Sequence, residues 1–161
     1  MENIYDAETG CCPQFNPIPW DEKEHVWDNK RFIKDSVRAI FHIPLGFGKV
    51  IQKNMKKIQT AEAFTVEPPV CLCDETCAWK IILYIETTKD LSDAEMVTIS
   101  GSFLSKVFEG PYKEAPKWYK QMTEFVRSRG KEAQKTYAYY TTCPKCAKEY
   151  GKNYVVLISR V

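Results

Sequence analysis

The stretch MVTISGSFLSKVFEGPYKEAPKWYKQMTEFVRSRG, residues 96–130, decides the fold. Its opening, residues 96–108, is rich in β-branched and aromatic side chains and reads as one long strand, bent at Gly101. Glu109-Gly110-Pro111-Tyr112 breaks that strand. From about residue 114 to residue 129, Ala115, Trp118, Tyr119, Met122, Phe125 and Val126 recur at helical spacing and form one apolar stripe. Gly130 then stops the helix. A helix with a single apolar stripe has to lie on a sheet. Residues 135–141 and 153–160 read as two strands that follow it, so this half of the chain spells β-α-β-β.

The first half has the same order. Residues 37–43 (VRAIFHI) are β-rich, and Pro44, Gly46 and Gly48 lead into a helix over residues 49–63. Its stripe is Val50, Ile51, Met55, Ile58 and Ala61. Strands over residues 70–74 and 80–87 follow, joined by a polar turn. The fold class is therefore α+β: duplicated βαββ units forming a mostly antiparallel sheet, with two helices on one face. The repeats are residues 37–90 and 95–161, and a groove between them is the natural pocket. Residues 1–36 lack a sustained period. Prolines at 13, 17 and 19 favour an extended arm packed on the domain, anchored by Phe15, Trp20 and Trp27.

Composition narrows the function classes. The 23 basic and 21 acidic residues leave a net charge of +2, which argues for neither a nucleic-acid nor a membrane partner. Lys49, Lys53, Lys56 and Lys57 read as a solvated helix face. No basic start leads into an apolar leader and no run suits a membrane helix, so the expected location is cytoplasmic. Walker, GxGxxG, GxSxG and HExxH motifs are absent, which removes the usual nucleotide and serine-hydrolase signatures. Aromatic residues, at 13%, exceed what a core of this size asks for and suit a ring-lined pocket.

Alternation along residues 80–87 puts Ile81, Leu83 and Ile85 on the helix side and Tyr84 and Glu86 on the other. A tyrosine and a carboxylate facing a groove can hold a cation by charge and ring face. Glu86 can also act as a general acid or base, against the plain alternative of a solvated sheet face. Tyr137 and Tyr139 share one face of their strand and are candidate groove lining; the alternative is packing against the arm. Tyr112 and Trp118 can extend the lining, although Trp118 lies mid-stripe, where core is the commoner role. Glu109 is a second candidate acid, or a carboxylate near a helix N-terminus. Tyr139 is the candidate proton donor. His25 and His42 stand apart in sequence, with no metal-ligand spacing.

The seven cysteines suggest thiols or metal ligands rather than disulfides in a reducing compartment. Cys143-Pro144-Lys145-Cys146 resembles a zinc knuckle, and Cys11 and Cys12 are the other compact pair. Together they would hold a structural zinc clipping the arm to the last hairpin, with free thiols as the competing reading. Cys71, Cys73 and Cys77 read better as small buried hydrophobes.

The β-α-β-β duplication and the turn Gly110-Pro111-Tyr112 before PKWYKQM resemble the GyrI-like small-molecule-binding domains. His42-Ile43-Pro44-Leu45-Gly46 is a degenerate counterpart of that turn in the first repeat. The chain also resembles a group of bacterial and archaeal proteins loosely labelled hydrolases. They share a CCPxFxPxPWD opening, the segment FEGPYK and the ending TTCPKCAKxYGKNYVV. The GyrI-like resemblance implies capture of a bulky hydrophobic compound, cationic or aromatic, in a groove lined by Tyr84, Glu86, Tyr112, Trp118, Tyr137 and Tyr139. It also implies an alternative, hydrolysis of a strained, cyclopropane-type electrophile by Glu86 or Glu109 with a tyrosine. A third class is a metal-clipped interaction protein without a ligand site.

Overall fold

The computed structural model of the chain describes residues 15–65, 69–141 and 153–161. The chain divides into two compact units, Trp27–Ser100 and Gly101–Val161 together with the segment up to Val26. The architecture is α+β, with antiparallel strands, two helices and the expected duplication.

The first βαββ set is β1 (Lys23–Ile40), the two-residue β2 (Ile43–Pro44), α1 (Phe47–Thr60), β3 (Cys71–Cys77) and β4 (Lys80–Glu86). β4 runs antiparallel to both β1 and β3 and lies between them. The second set is β5 (Glu95–Glu109), α2 (Ala115–Ser128), β6 (Lys135–Tyr140) and β7 (Tyr154–Arg160), with β7 between β5 and β6. In each set, then, the last strand in sequence is the central strand in space. A helix that crosses over before an antiparallel pair allows this order without crossing connections.

Alternation on β4 is as expected: Ile81, Leu83 and Ile85 are buried, while Ile82, Tyr84 and Glu86 are only partly so. Ile85 joins Ile33, Ile58, Ala63 and Leu91 in a core cluster, against which Ile51, Met55 and Ala61 pack. In the second set Trp118, Met122, Phe125 and Val126 are the buried side of α2, which packs on β7. Each such side chain stabilises the fold by about 1.5–3 kcal/mol.

Two sequence expectations shift. β1 starts at Lys23, so residues 23–36, read as part of an arm, are strand. The reason is local: Asn29 sits at φ 50 within β1, and its N–H donates to Ser100 Oγ at 2.7 Å. A left-handed residue inside a strand breaks the period-2 pattern that reveals strands in sequence. α1 starts at Phe47, earlier than the stripe indicates, because Gly46 at φ 73 turns the chain into it. The expected bend in β5 falls at Gly101, which adopts φ 138.

Candidate functional site

In the unit Trp27–Ser100, register fixes which side chains accompany Tyr84 and Glu86. Tyr84 lies opposite Lys34 of β1 and Leu72 of β3, and Glu86 lies opposite Phe32. The Glu86 side chain is 17% exposed and held at both oxygens. Oε2 accepts the Val70 N–H at 3.0 Å, and Oε1 is 2.9 Å from Lys30 Nζ. Lys30 Nζ in turn stands 5.5 Å from the centre of the Trp27 ring, and Trp27 packs on Phe32 at 6.0 Å. A carboxylate and a ring thus flank a cation here, but the ring is Trp27 rather than Tyr84 and the cation is the chain's own Lys30 ammonium. Each carboxylate oxygen has two acceptor directions, so one engaged donor apiece leaves room for a water or substrate proton.

Asp74 is on the same face, opposite Ile82, and is buried with Oδ1 accepting the Thr76 N–H at 3.1 Å. In the sequence its role is masked by the three thiols of CLCDETC, the only chemical pattern that segment displays. Trp27 is an expected arm anchor and lies in β1 instead, beside Lys30. Neither could be joined to Glu86 without the β1–β4 register.

The second aromatic set lies in the other unit. Tyr137 and Tyr139 are buried, opposite Ile158 and Val156 of β7. Tyr139 meets Trp20 edge-on at 5.6 Å and Phe15 at 6.1 Å, and Phe15 also lies 6.0 Å from Tyr154. For Tyr139 this is the alternative of packing against the arm, through Phe15 and Trp20, whereas the Tyr137 ring has the Lys135 ammonium 5.5 Å from its centre. Trp20 also lies against the His25 ring at 4.9 Å. His25 Nε2 is 2.7 Å from Ser105 Oγ, and that hydroxyl is 2.6 Å from the Trp20 carbonyl. A carbonyl only accepts, so the Ser105 proton goes to Trp20, and His25 is the donor to Ser105 Oγ. With Ser105 fully buried, the trio ties residues around Trp20 to β5 and does not make an activated nucleophile.

The remaining candidates spread along the Gly110-Pro111-Tyr112 turn. Glu109 is exposed at the end of β5, opposite Tyr154. Gly110 adopts φ 143, and its carbonyl accepts from Asn153 Nδ2 at 2.7 Å. Tyr112 is 37% exposed and sits edge-on to Tyr140 at 5.5 Å. Trp118 is buried and stacks on Phe108 at 5.9 Å, so it belongs to the core under α2. A side chain added at Gly110 would touch the Trp118 ring at 3.5 Å, which ties the turn to that core.

Cys71 and Cys73 share the helix-side face of β3, opposite Ile85 and Leu83. The hydrogen bond that the Cys73 S–H donates to Cys71, then burial, push the Cys73 thiol well above its ordinary range. Cys73 is thus the small buried hydrophobe expected, while Cys71 is half-buried and Cys77, at the end of β3, is exposed against expectation. The zinc expectation on Cys11, Cys12, Cys143 and Cys146 lies outside the described residues. Among the described residues, no cluster of three or more His, Cys, Asp or Glu side chains is arranged to hold a metal.

A family model described as bacterial hydrolase matches residues 2–161. The chain belongs to the bacterial hydrolase family. This agrees with the resemblance to the hydrolase-labelled group and does not confirm the GyrI-like one. Among solved structures it is similar to an uncharacterized conserved protein from Listeria innocua, at 13% identity and a TM-score of 0.61, covering 86% of this chain and 91% of that one. A hydrolase from Listeria innocua is similar at 15% identity and a TM-score of 0.59, covering 87% and 91%. At these identities the likeness is one of fold. No curated protein matches the sequence.

Proposed function

We propose that this member of the bacterial hydrolase family binds and hydrolyses a small organic molecule, hydrophobic with a cationic or aromatic portion, at the Tyr84–Glu86 face. The observation that carries the reading is the fixed Glu86 carboxylate. Two donors from its own unit orient it without using all of its acceptor positions. A carboxylate held in this way can take a proton from water as the water oxygen bonds to an electrophilic carbon. The bond that breaks is the strained or activated bond of that carbon, and the leaving atom takes a proton from Tyr84. Solvent then returns the proton from Glu86 to the phenolate. Family membership supports the hydrolytic chemistry, and the GyrI-like resemblance supports the substrate class.

The test is turnover with product mass as readout. The wild-type chain, offered p-nitrophenyl esters and a cyclopropane-bearing electrophile, is expected to release a product that has gained one water. Glu86→Gln, which keeps the shape and an acceptor oxygen, is expected to lower that rate by roughly a hundredfold or more while preserving ligand-induced stabilisation. Equal rates in wild type and Glu86→Gln would remove Glu86 from the chemistry.

Binding without turnover is the second reading, and one observation favours it. Lys30 already places an ammonium between Glu86 and Trp27, the arrangement a captured cation would take. Under this reading the ligand raises the melting temperature and is recovered unchanged.

A further inference from the structure

Two neighbouring hairpin tips in the unit Trp27–Ser100 carry apolar side chains into solvent. β1 and β2 pair Ala39 with Pro44 and Ile40 with Ile43, which leaves Phe41 and His42 as a two-residue turn. β3 and β4 pair Cys77 with Lys80, which leaves Ala78 and Trp79 as another. Backbone hydrogen bonds hold the tips together: Ala39 N–H donates to Trp79 O and His42 N–H to Ala78 O, both at 2.9 Å. Phe41 is 71% exposed, Ile43 66%, Trp79 57%, Leu45 51% and Ile40 48%. The Phe41 and Trp79 rings lie 5.0 Å apart, so they form one aromatic tip. A cluster of this kind on a soluble unit marks a contact surface.

The turn is also shaped at a local cost. Phe41 at φ 48 and His42 at φ 66 both occupy the left-handed region, where Asn-Gly is the favoured pair. A bulky residue there is a genuine outlier. Strain of this sort persists where the displayed side chain has a use.

Charge identifies the partner. No acidic residue occurs from Ser36 to Ala61, although the second hairpin carries Asp74 and Glu75 on β3. Lys53 and Lys57 are already engaged with Asp35 and the Asp93 carbonyl, so the charges that matter at the tips are Arg38 and Lys80. Arg38 and Lys80 are exposed and lie directly opposite each other across β1 and β4, an unfavourable like-charge pair in the isolated chain. A second copy docking through the same patch would bring these cations together. An anionic surface relieves them, and a tryptophan, a phenylalanine and three aliphatic side chains suit the boundary between lipid headgroups and acyl chains. We propose that the two tips, residues 40–45 and 78–79 with the Arg38 and Lys80 rim, dock this protein onto an anionic lipid membrane. The overall balance of charge, read from sequence as arguing against a membrane partner, conceals this local asymmetry.

Vesicle co-sedimentation tests the proposal. The full chain is expected to bind phosphatidylcholine vesicles containing phosphatidylserine and to bind far less to pure phosphatidylcholine. High salt should release it. Tryptophan emission should shift to the blue on binding in wild type, and this shift should be lost in Trp79→Phe. Reversing both rim charges (Arg38→Glu with Lys80→Glu) is expected to weaken binding at least roughly tenfold. Phe41→Asn separates display from stability: asparagine tolerates the left-handed region, so the melting temperature should hold or rise while vesicle binding falls. No sedimentation with phosphatidylserine vesicles overturns the proposal. So does a concentration-dependent dimer that Phe41→Asn dissociates, since a second copy would then be the occupant.

Discussion

Asp35 and Glu86 show how two carboxylates in one unit come to different uses. Asp35 lies opposite Leu83, on the helix side of the strands, where Asn54 Nδ2 donates to it at 2.9 Å, the Ser36 N–H at 2.7 Å and Lys53 Nζ at 3.0 Å. Burial alone would raise its pKa, but the donors from Asn54, Ser36 and Lys53, with the Lys53 charge, outweigh burial and hold it below the ordinary 3.8. The carboxylate thus anchors α1 through three donors, one more than Glu86 has. Because the folded pKa is the lower one, the unfolded chain takes up this proton first as pH falls. Its stabilisation is complete above about 3.8 and is lost as pH drops from there through the folded value. In Asp35→Asn that part of the acid sensitivity should vanish: denaturant midpoints measured between pH 5 and pH 2 should fall less steeply than in wild type. Parallel curves would mean that other carboxylates govern the acid transition. Asn54, fully buried in the stripe of α1, was invisible in a reading that counted only apolar positions.

At the scale of elements, β5 joins a legible signal to a structural cause. Gly101 was read as a bend, and it sits at φ 138 in a strand whose neighbour β7 brings Arg160 close by. A Cβ at this position would stand 3.2 Å from Arg160 Nε, which a flexible side chain can yield, but the backbone angle cannot be relieved in the same way. Gly101→Ala is expected to destabilise the fold by about 1–3 kcal/mol. The melting temperature should then drop by roughly 3–10 °C. An unchanged value would mean the strand bends by another route. Strand and helix order was legible because β4, α1 and α2 carry clean periods of 2 and 3.6. The start of β1 was not, because Asn29 shifts the alternation midway and His25 and Trp27 lose their phase with Phe32. Likewise Tyr84 and Glu86 could be placed on a common face from β4 alone. Their partners Lys30 and Trp27 come from a strand distant in sequence, and only pairing register reveals them.

At the scale of the molecule, duplication has produced two βαββ units with the same strand order and chemically different faces away from their helices. In the unit with α2, that face is aromatic and packed by Phe15 and Trp20, with Ser105 bonded to a backbone carbonyl. In the unit with α1 it carries Tyr84 and a carboxylate paired with the Lys30 ammonium. Under the proposed function Lys30 stands where a cationic ligand would, and removing it is the sharpest test of that face. Lys30→Met keeps the length and apolar stem but deletes the charge, so Glu86 loses one of its two donors. The variant should melt lower than wild type, by an amount reflecting about 1–3 kcal/mol for a partly buried carboxylate left short of a partner. A hydrophobic cation such as tetraphenylphosphonium should then raise its melting temperature more than it raises that of wild type. The vacated place between Glu86 and the Trp27 ring accepts the new charge without first displacing an ammonium. A shift equal to or smaller than that of wild type would put the probe elsewhere on the protein. In that case Lys30 is a structural counter-ion, and the Glu86 face loses its claim to cationic ligands.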